Sequence, residues 1–334
     1  MFIALTALFM STFSGNAGSK DQVFQITSDM LAFIKRHVEL DAGPYRKIQQ
    51  LQSALLDDRG AHIQYRYRAT TPPDVTLSEG VADCVAFSWL FVTLARELGL
   101  DARFQEITGD GGLRRLAGYR LQTIHLNAVV MVGSRPVEVD FPRFEGMTGV
   151  TRTLIGDRKA LAHYHNNIGV DMLLENRLQE AGEALLLGSQ LAPEFAGCLA
   201  NLGVYYRRSG EYEKARDVYF KALDLEPRSP VVRTNLAHLL FQQGQTLEAE
   251  EMYAQMGKSK FQNPFYHYNL GKQELAEGNL DRAEKRFKRA VKMLPEIAEF
   301  HHALTAVSLR RENLNADSSA GLVVAAGGQE GQEP

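Results

Sequence analysis

Cys84, His125 and Asp140 are the side chains whose types and order could perform nucleophilic chemistry in this sequence. A cysteine sulfur attacks a carbonyl carbon once a base takes its proton; an imidazole can be that base and then the acid for the leaving group, with a carboxylate holding its tautomer. Cys84 follows the stretch Ser78-Glu79-Gly80-Val81-Ala82-Asp83 and opens a strongly apolar run, Val85 to Leu98, that Gly99 ends. This pattern predicts a cysteine at a helix N-terminus, where unpaired N–H groups and the helix dipole favour a thiolate. A buried structural cysteine is the competing reading, the common fate of a free thiol.

The elements that must position the other two are strands. His125 to Val132 reads as a strand, Gly133-Ser134-Arg135-Pro136 as a turn, and Val137 to Phe141 as the returning strand. In such a hairpin His125 and Asp140 come opposite each other. Asp101 to Ile107 predicts a further strand, followed by a glycine-rich excursion from Gly109 to Gly118. Upstream, Asp21 to Leu40 and Tyr45 to Leu56 carry helical spacing, and Ala69 to Asp74, with Pro72-Pro73, predicts a loop.

The segment from about Thr70 to Phe141, a fifth of the chain, resembles the transglutaminase-like family, whose bacterial members have a papain-type fold. The resemblance rests on the small-residue loop ending in Asp83-Cys84, the helix Cys84 to Gly99, the strand opening with His125 and the strand ending in Asp140. It implies Cys84 as nucleophile, His125 as general base and then acid, Asp140 as the group orienting the ring, and the Cys84 backbone N–H as part of an oxyanion hole. Two positions depart from the family pattern. Ala82 stands where a glycine is usual, and Asn127 where an aromatic often follows the histidine.

The second half repeats itself every 34 residues. Position 8 reads Gly169, Gly203, Ala237, Gly271; position 20 reads Ala181, Ala215, Ala249, Ala283; position 24 reads Leu185, Tyr219, Tyr253, Phe287; position 32 reads Pro193, Pro227, Phe261, Pro295. Small residues at positions 8 and 20 let two antiparallel helices approach, larger ones fill the space between pairs, and proline stops the second helix. These columns resemble the tetratricopeptide repeat, with units beginning at Ala162, Ala196, Pro230 and Pro264 and a capping helix from Ala298; the third unit is the weakest.

Such stacks usually bind peptides or partner helices on a surface lined by first helices, so the resemblance implies a protein or peptide partner. Position 6 is asparagine in all four units, Asn167, Asn201, Asn235 and Asn269. These amides either bond an extended peptide or tie neighbouring helices together, and the two readings stand level. Arg207, His238 and Tyr268 are further candidates for that surface, and the basic run Arg282 to Lys292 reads as a solvated outer face.

The chain has 334 residues, 45% hydrophobic and 23% charged, with 37 Lys and Arg against 40 Asp and Glu and a net charge of −3. That excludes wholesale disorder, offers no basic excess for nucleic acid, and no apolar run approaches the roughly 20 residues of a membrane span. Cys84 and Cys198 lie in different expected domains, so no disulfide framework is available. No cofactor and no metal is expected; His163 and His165 stand two apart on a helix and share no face, and His301-His302 reads as packing or surface.

The expected organisation is therefore a signal peptide at 1–17, an α+β papain-like, transglutaminase-like domain at 19–157, an all-α tetratricopeptide solenoid at 162–310 and a disordered tail at 315–334. Met1 to Phe13 is apolar and precedes Gly15-Asn16-Ala17-Gly18, predicting an extracytoplasmic address, or a cytoplasmic one if the segment is a short N-terminal helix instead. The function expected is cysteine acyl transfer, as a peptidase, amidase or crosslinker, with a non-catalytic assembly protein as the alternative.

Overall fold

The computed structural model describes residues 25–109, 113–116, 119–122, 124–141, 150–256 and 262–326. The expected signal peptide lies outside the described residues, as do 327–334 of the expected tail and Phe261 of the proline column. The chain divides into two compact units, Met1–Gly109 with Ile124–Ala160, and Asp110–Thr123 with Leu161–Pro334.

The first unit opens with helices α1 (Ser28–His37) and α2 (Pro44–Leu56), matching the helical spacing there. The Thr27 hydroxyl accepts from the Met30 N–H at 3.3 Å, and Lys35, Arg36 and His37 close the last turn of α1, where cations suit the dipole. A two-residue strand β1 (Gln64–Tyr65) pairs in parallel with β2 (Val81–Ala82). Between them α3 (Pro73–Glu79) departs from the expected loop. Pro73 is its first residue, where a missing N–H costs no helical bond, and Gly80 ends it at φ 66°.

Helix α4 (Cys84–Glu97) is the centre of this unit, every residue from Val85 to Ala95 being buried. It packs on a four-stranded antiparallel sheet of β3 (Asp101–Gly109), β6 (His125–Val132), β7 (Arg135–Val139) and β8 (Val150–Ile155), in the order β7-β6-β3-β8. A separate hairpin joins β4 (Leu113–Leu116) and β5 (Tyr119–Gln122). Trp89 meets Phe104 at 5.5 Å between ring centres, and Phe87 meets Phe141 at 4.5 Å, joining α4 to β3 and to the end of β7. The Arg96 guanidinium holds Asp157 bidentately at 2.8 and 2.9 Å and donates to the Ala102 carbonyl. Strand β8 was not anticipated: its middle residues are exposed, so no apolar alternation marks it.

The second unit continues from α5 (Asp157–Leu174) through α6 (Leu178–Leu191), α7 (Ala196–Arg208), α8 (Tyr212–Leu225), α9 (Pro230–Gln242), α10 (Thr246–Ala254), α11 (Pro264–Ala276) and α12 (Leu280–Met293) to α13 (Ala298–Ala326). These are the helix pairs that the 34-residue period predicts. The α10 helix of the weakest unit has only 9 residues against 14 in α8 and α12. Residues 315–326, expected within a disordered tail, are helical as the end of α13, which corrects that expectation.

Positions 8 and 24 of the repeat face each other. A Cβ on Gly169 would stand 2.5 Å from Leu185 Cγ, on Gly203 2.3 Å from Tyr219 Cε1, and on Gly271 2.7 Å from Phe287 Cε1. The glycines therefore serve close helix approach against a buried side chain, not backbone freedom. Gly203→Ala should destabilise the repeats by about 1–3 kcal/mol, because the fully buried Tyr219 ring has nowhere to retreat. Denaturant unfolding followed by far-UV circular dichroism checks this; an unchanged midpoint contradicts the packing argument.

Candidate active site

The local sequence puts Cys84 at the first position of α4 through its cap. Asp83 Oδ1 accepts from the Ala86 N–H at 2.9 Å, satisfying one of the four unpaired donors of the helix end. The other carboxylate oxygen, Oδ2, accepts from the Thr70 hydroxyl, and the Asp83 N–H donates to the Ala69 carbonyl at 3.2 Å. The stretch before α3 is thereby tied to the residue preceding the cysteine.

His125 opens β6, and its Nε2 lies 2.5 Å from Asp140 Oδ2, with both side chains buried. The second oxygen of Asp140 accepts from the Phe141 N–H at 2.7 Å, so the carboxylate is held at both ends. Phe141 in turn packs on Phe87 of α4 and at 5.4 Å edge-on to Tyr65. An ionised carboxylate only accepts, which puts the ring proton on Nε2 and the lone pair on Nδ1.

The connection between α4 and β6 runs through Leu126, the residue after His125. The Leu126 backbone N–H acts on the Cys84 sulfur, favouring its thiolate form. The buried Ser88 hydroxyl, one helical turn on from Cys84, donates to the Cys84 carbonyl at 2.7 Å and to the Leu126 carbonyl at 3.1 Å. Ser88 thus links the backbone of Cys84 to that of Leu126. Asp83, Thr70 and Ser88 were absent from the sequence-derived site. The signal for Ser88 was a hydroxyl inside an otherwise apolar helical run, four residues after Cys84.

The electrostatics of the thiol correct one expectation. Cys84 keeps part of its surface exposed, yet its sulfur is pushed up to about 12, first by burial, second by the Asp83 carboxylate and further by Asp140. The N–H groups of Leu126 and Val85 pull the other way. A helix N-terminus contributes about 0.3–1 kcal/mol to a charge, up to ~2 in partly buried sites. Withdrawing a charge from water costs several kcal/mol, so burial wins and the resting sulfur is a neutral thiol.

Gln105 Oε1 and Asn127 Oδ1, on register partners of β3 and β6, are buried without a hydrogen-bond partner among the described residues. Asn127 is two residues beyond His125 and so on the same face of β6, at the position where the family pattern often carries an aromatic.

The residues expected to bind a partner along the first helices are largely engaged inside the stack. Asn201 donates to Asn166 Oδ1 at 2.8 Å, and Asn269 donates to Glu250 Oε2 at 2.8 Å and to the Thr246 carbonyl at 3.4 Å. Their bonds fit the reading in which this column ties helices together. Arg207 is buried and donates to Gln242 Oε1 at 3.1 Å. His238 is buried, its ring pushed down to about 3 by burial and by the Arg207 charge. Tyr268 packs among Phe241, Phe300 and Phe287 with centroids 4.8, 5.2 and 5.7 Å away. Asn167 and Asn235 are half-buried.

Comparison with known proteins gives two family matches. The transglutaminase-like superfamily matches residues 32–117, and a tetratricopeptide repeat matches residues 206–271. The first match includes Cys84 and stops short of His125 and Asp140. The human protein O-mannosyl-transferase TMTC2 is 34% identical over 101 residues, which are 29% of this chain and 12% of that protein. The photosystem I assembly protein Ycf3 of Rippkaea orientalis is 28% identical over 97 residues, 29% of this chain and 44% of that one. The chain thus spans less than half the length of either. Among solved structures, Pseudomonas aeruginosa pilF (19% identity, TM-score 0.37) is matched over 53% of this chain and 80% of its own. MamA of Desulfovibrio magneticus RS-1 (20% identity, TM-score 0.35) is matched over 53% and 99%.

Because the folded thiol stands above its ordinary value of 9.0, alkylation of Cys84 by iodoacetamide should keep rising beyond about pH 10, where a free cysteine has levelled off. Asp83→Asn removes the second-largest cause while keeping a residue that caps helices, so the rate profile should move to lower pH. Mass-spectrometric rate measurements against pH test both, and an unmoved profile in the variant contradicts the role given to Asp83.

Proposed function

For a chain in which a transglutaminase-like domain precedes a tetratricopeptide repeat, we propose cysteine acyl transfer at Cys84, with the repeats as a protein-binding module. The observation that carries the chemistry is the buried His125–Asp140 pair, which leaves a basic lone pair on Nδ1. The sulfur of Cys84, on which the backbone N–H following His125 acts, is the group this base serves.

Since the thiol is neutral at rest, the reaction begins with proton transfer. His125 takes the proton as the sulfur attacks the carbonyl carbon of an amide, and the resulting oxyanion is met by backbone N–H groups at the start of α4, the Cys84 N–H among them. The tetrahedral intermediate collapses to a thioester, and His125 returns the proton to the departing amine. Water or a second amine then attacks the thioester, with His125 again as base. Water makes the protein a peptidase or amidase, and an amine makes it a crosslinker. Asp140 stabilises the imidazolium formed in each half-reaction without itself taking the proton.

A second reading, a non-catalytic scaffold whose working surface is the repeats, draws on the raised thiol. The two separate in one experiment. Incubation with p-nitrophenyl acetate followed by intact mass should show one acetyl group on Cys84, absent from Cys84→Ser and reduced by about 100-fold or more in rate in His125→Ala. Acetylation of Cys84 that ignores His125 supports the scaffold instead.

Ser88→Ala removes the hydroxyl shared by the Cys84 and Leu126 carbonyls. It should cost about 0.5–1.5 kcal/mol of stability and slow acetylation, while Ser88→Thr, which retains the hydroxyl, restores part of the rate. Paired thermal melts and acetylation rates check it; a stability loss with an unchanged rate denies Ser88 any part in placing the sulfur.

A further inference from the structure

Helix α12 carries six basic residues, and four of them, Arg282, Lys285, Arg286 and Arg289, follow the spacing i, i+3, i+4, i+7 that places them on one face. With Glu274 of α11 they line a cleft of about 380 Å³. The acidic residues of α12 are used elsewhere: Glu284 pairs with Lys288 at 2.6 Å and with Arg311 at 3.0 Å, and Asp281 pairs with Arg311 at 2.7 Å. Lys285 and Arg286 make no hydrogen bond or ion pair among the described residues. Glu274 is nine-tenths buried; its Oε2 accepts no hydrogen bond and has Arg282 Nη1 3.9 Å away.

Like charges on neighbouring turns cost a helix a few tenths of a kcal/mol per pair, so this face is destabilising until an anion reaches it. Four cations and one carboxylate line this concave site, so its lining is predominantly positive. We propose that this cleft is a docking site for an acidic peptide segment of a partner protein. The stripe from Arg282 to Arg289 is about 10 Å long at ~1.5 Å per residue, the span of about three residues of extended chain. Such a segment brings carboxylates to the cations and also backbone N–H groups, the donors Glu274 lacks. A nucleic-acid phosphodiester backbone brings acceptors alone, and the residues lining the cleft include no aromatic ring on which bases could stack. The proposal goes beyond the thiol chemistry and stands or falls without it.

The test uses the full chain and fluorescein-labelled hexaglutamate, followed by fluorescence anisotropy. Hexaglutamate should bind, more weakly as salt is raised, and the double variant Lys285→Gln, Arg286→Gln should weaken it by about tenfold. The double variant Lys288→Gln, Lys292→Gln removes the same charge from α12 outside the cleft and should change binding by less than about twofold. Far-UV circular dichroism confirms that both variants fold. Equal losses in the two variants would reduce the effect to net charge, and tighter binding of labelled dT12 would make the site one for single-stranded nucleic acid. Complete displacement by millimolar phosphate would make it a simple anion site. Each of these, like no binding of hexaglutamate, overturns the proposal.

Discussion

Residues 85–95 of α4 are all buried, so one helix must be satisfied on every side at once, and the rest of the first unit is arranged around that requirement. Apolar neighbours supply most of it, with Trp89 on Phe104 and Phe87 on Phe141. The polar remainder is handled locally: Thr93 returns its hydroxyl to the Trp89 carbonyl and Ser88 shares its own between α4 and β6. Because the helix cannot shift without breaking these contacts, the residue at its first position is held against β6 with little freedom. Placing Cys84, His125 and the Asp140 carboxylate is thus a consequence of core packing more than of local loop geometry.

Opposing influences compete over the sulfur, and their order decides its protonation. The helix end and two N–H groups favour a thiolate, while burial and two carboxylates oppose it. Asp83 is on both sides of the balance, since the charge that caps α4 also disfavours a second charge on the neighbouring residue. A cap of this kind anchors the helix and keeps the neighbouring thiol protonated.

The repeats obey a different constraint. Their stability comes from nearest-neighbour packing of helices, so the same few columns recur, and within the asparagine column Asn201 and Asn269 bond inside the stack. What distinguishes one unit from another is charge. The acidic residues of α12 turn toward Lys288 and Arg311, and a stripe of cations is left around Glu274. Position in the linear sequence told only that the run was basic.

Periodicity made most of the fold legible. The 34-residue columns marked the helix pairs, and the apolar run after Cys84 and the alternating segments around Gly133 marked α4, β6 and β7. Where the pattern was absent or misleading, the reading went wrong for identifiable reasons. Strand β8 exposes its middle residues, Pro73, expected within a loop, begins a helix, and residues 315–326 extend α13 despite their small and polar composition. By itself the sequence determined which elements form and that a cysteine, a histidine and a carboxylate stand at their ends, because backbone propensity and side-chain period are local properties. Only the tertiary structure decided that the thiol is protonated, that Asn201 and Asn269 bond inside the stack, and that four cations line one cleft with a buried carboxylate. Desolvation depends on neighbours distant along the chain, and no local spacing encodes it.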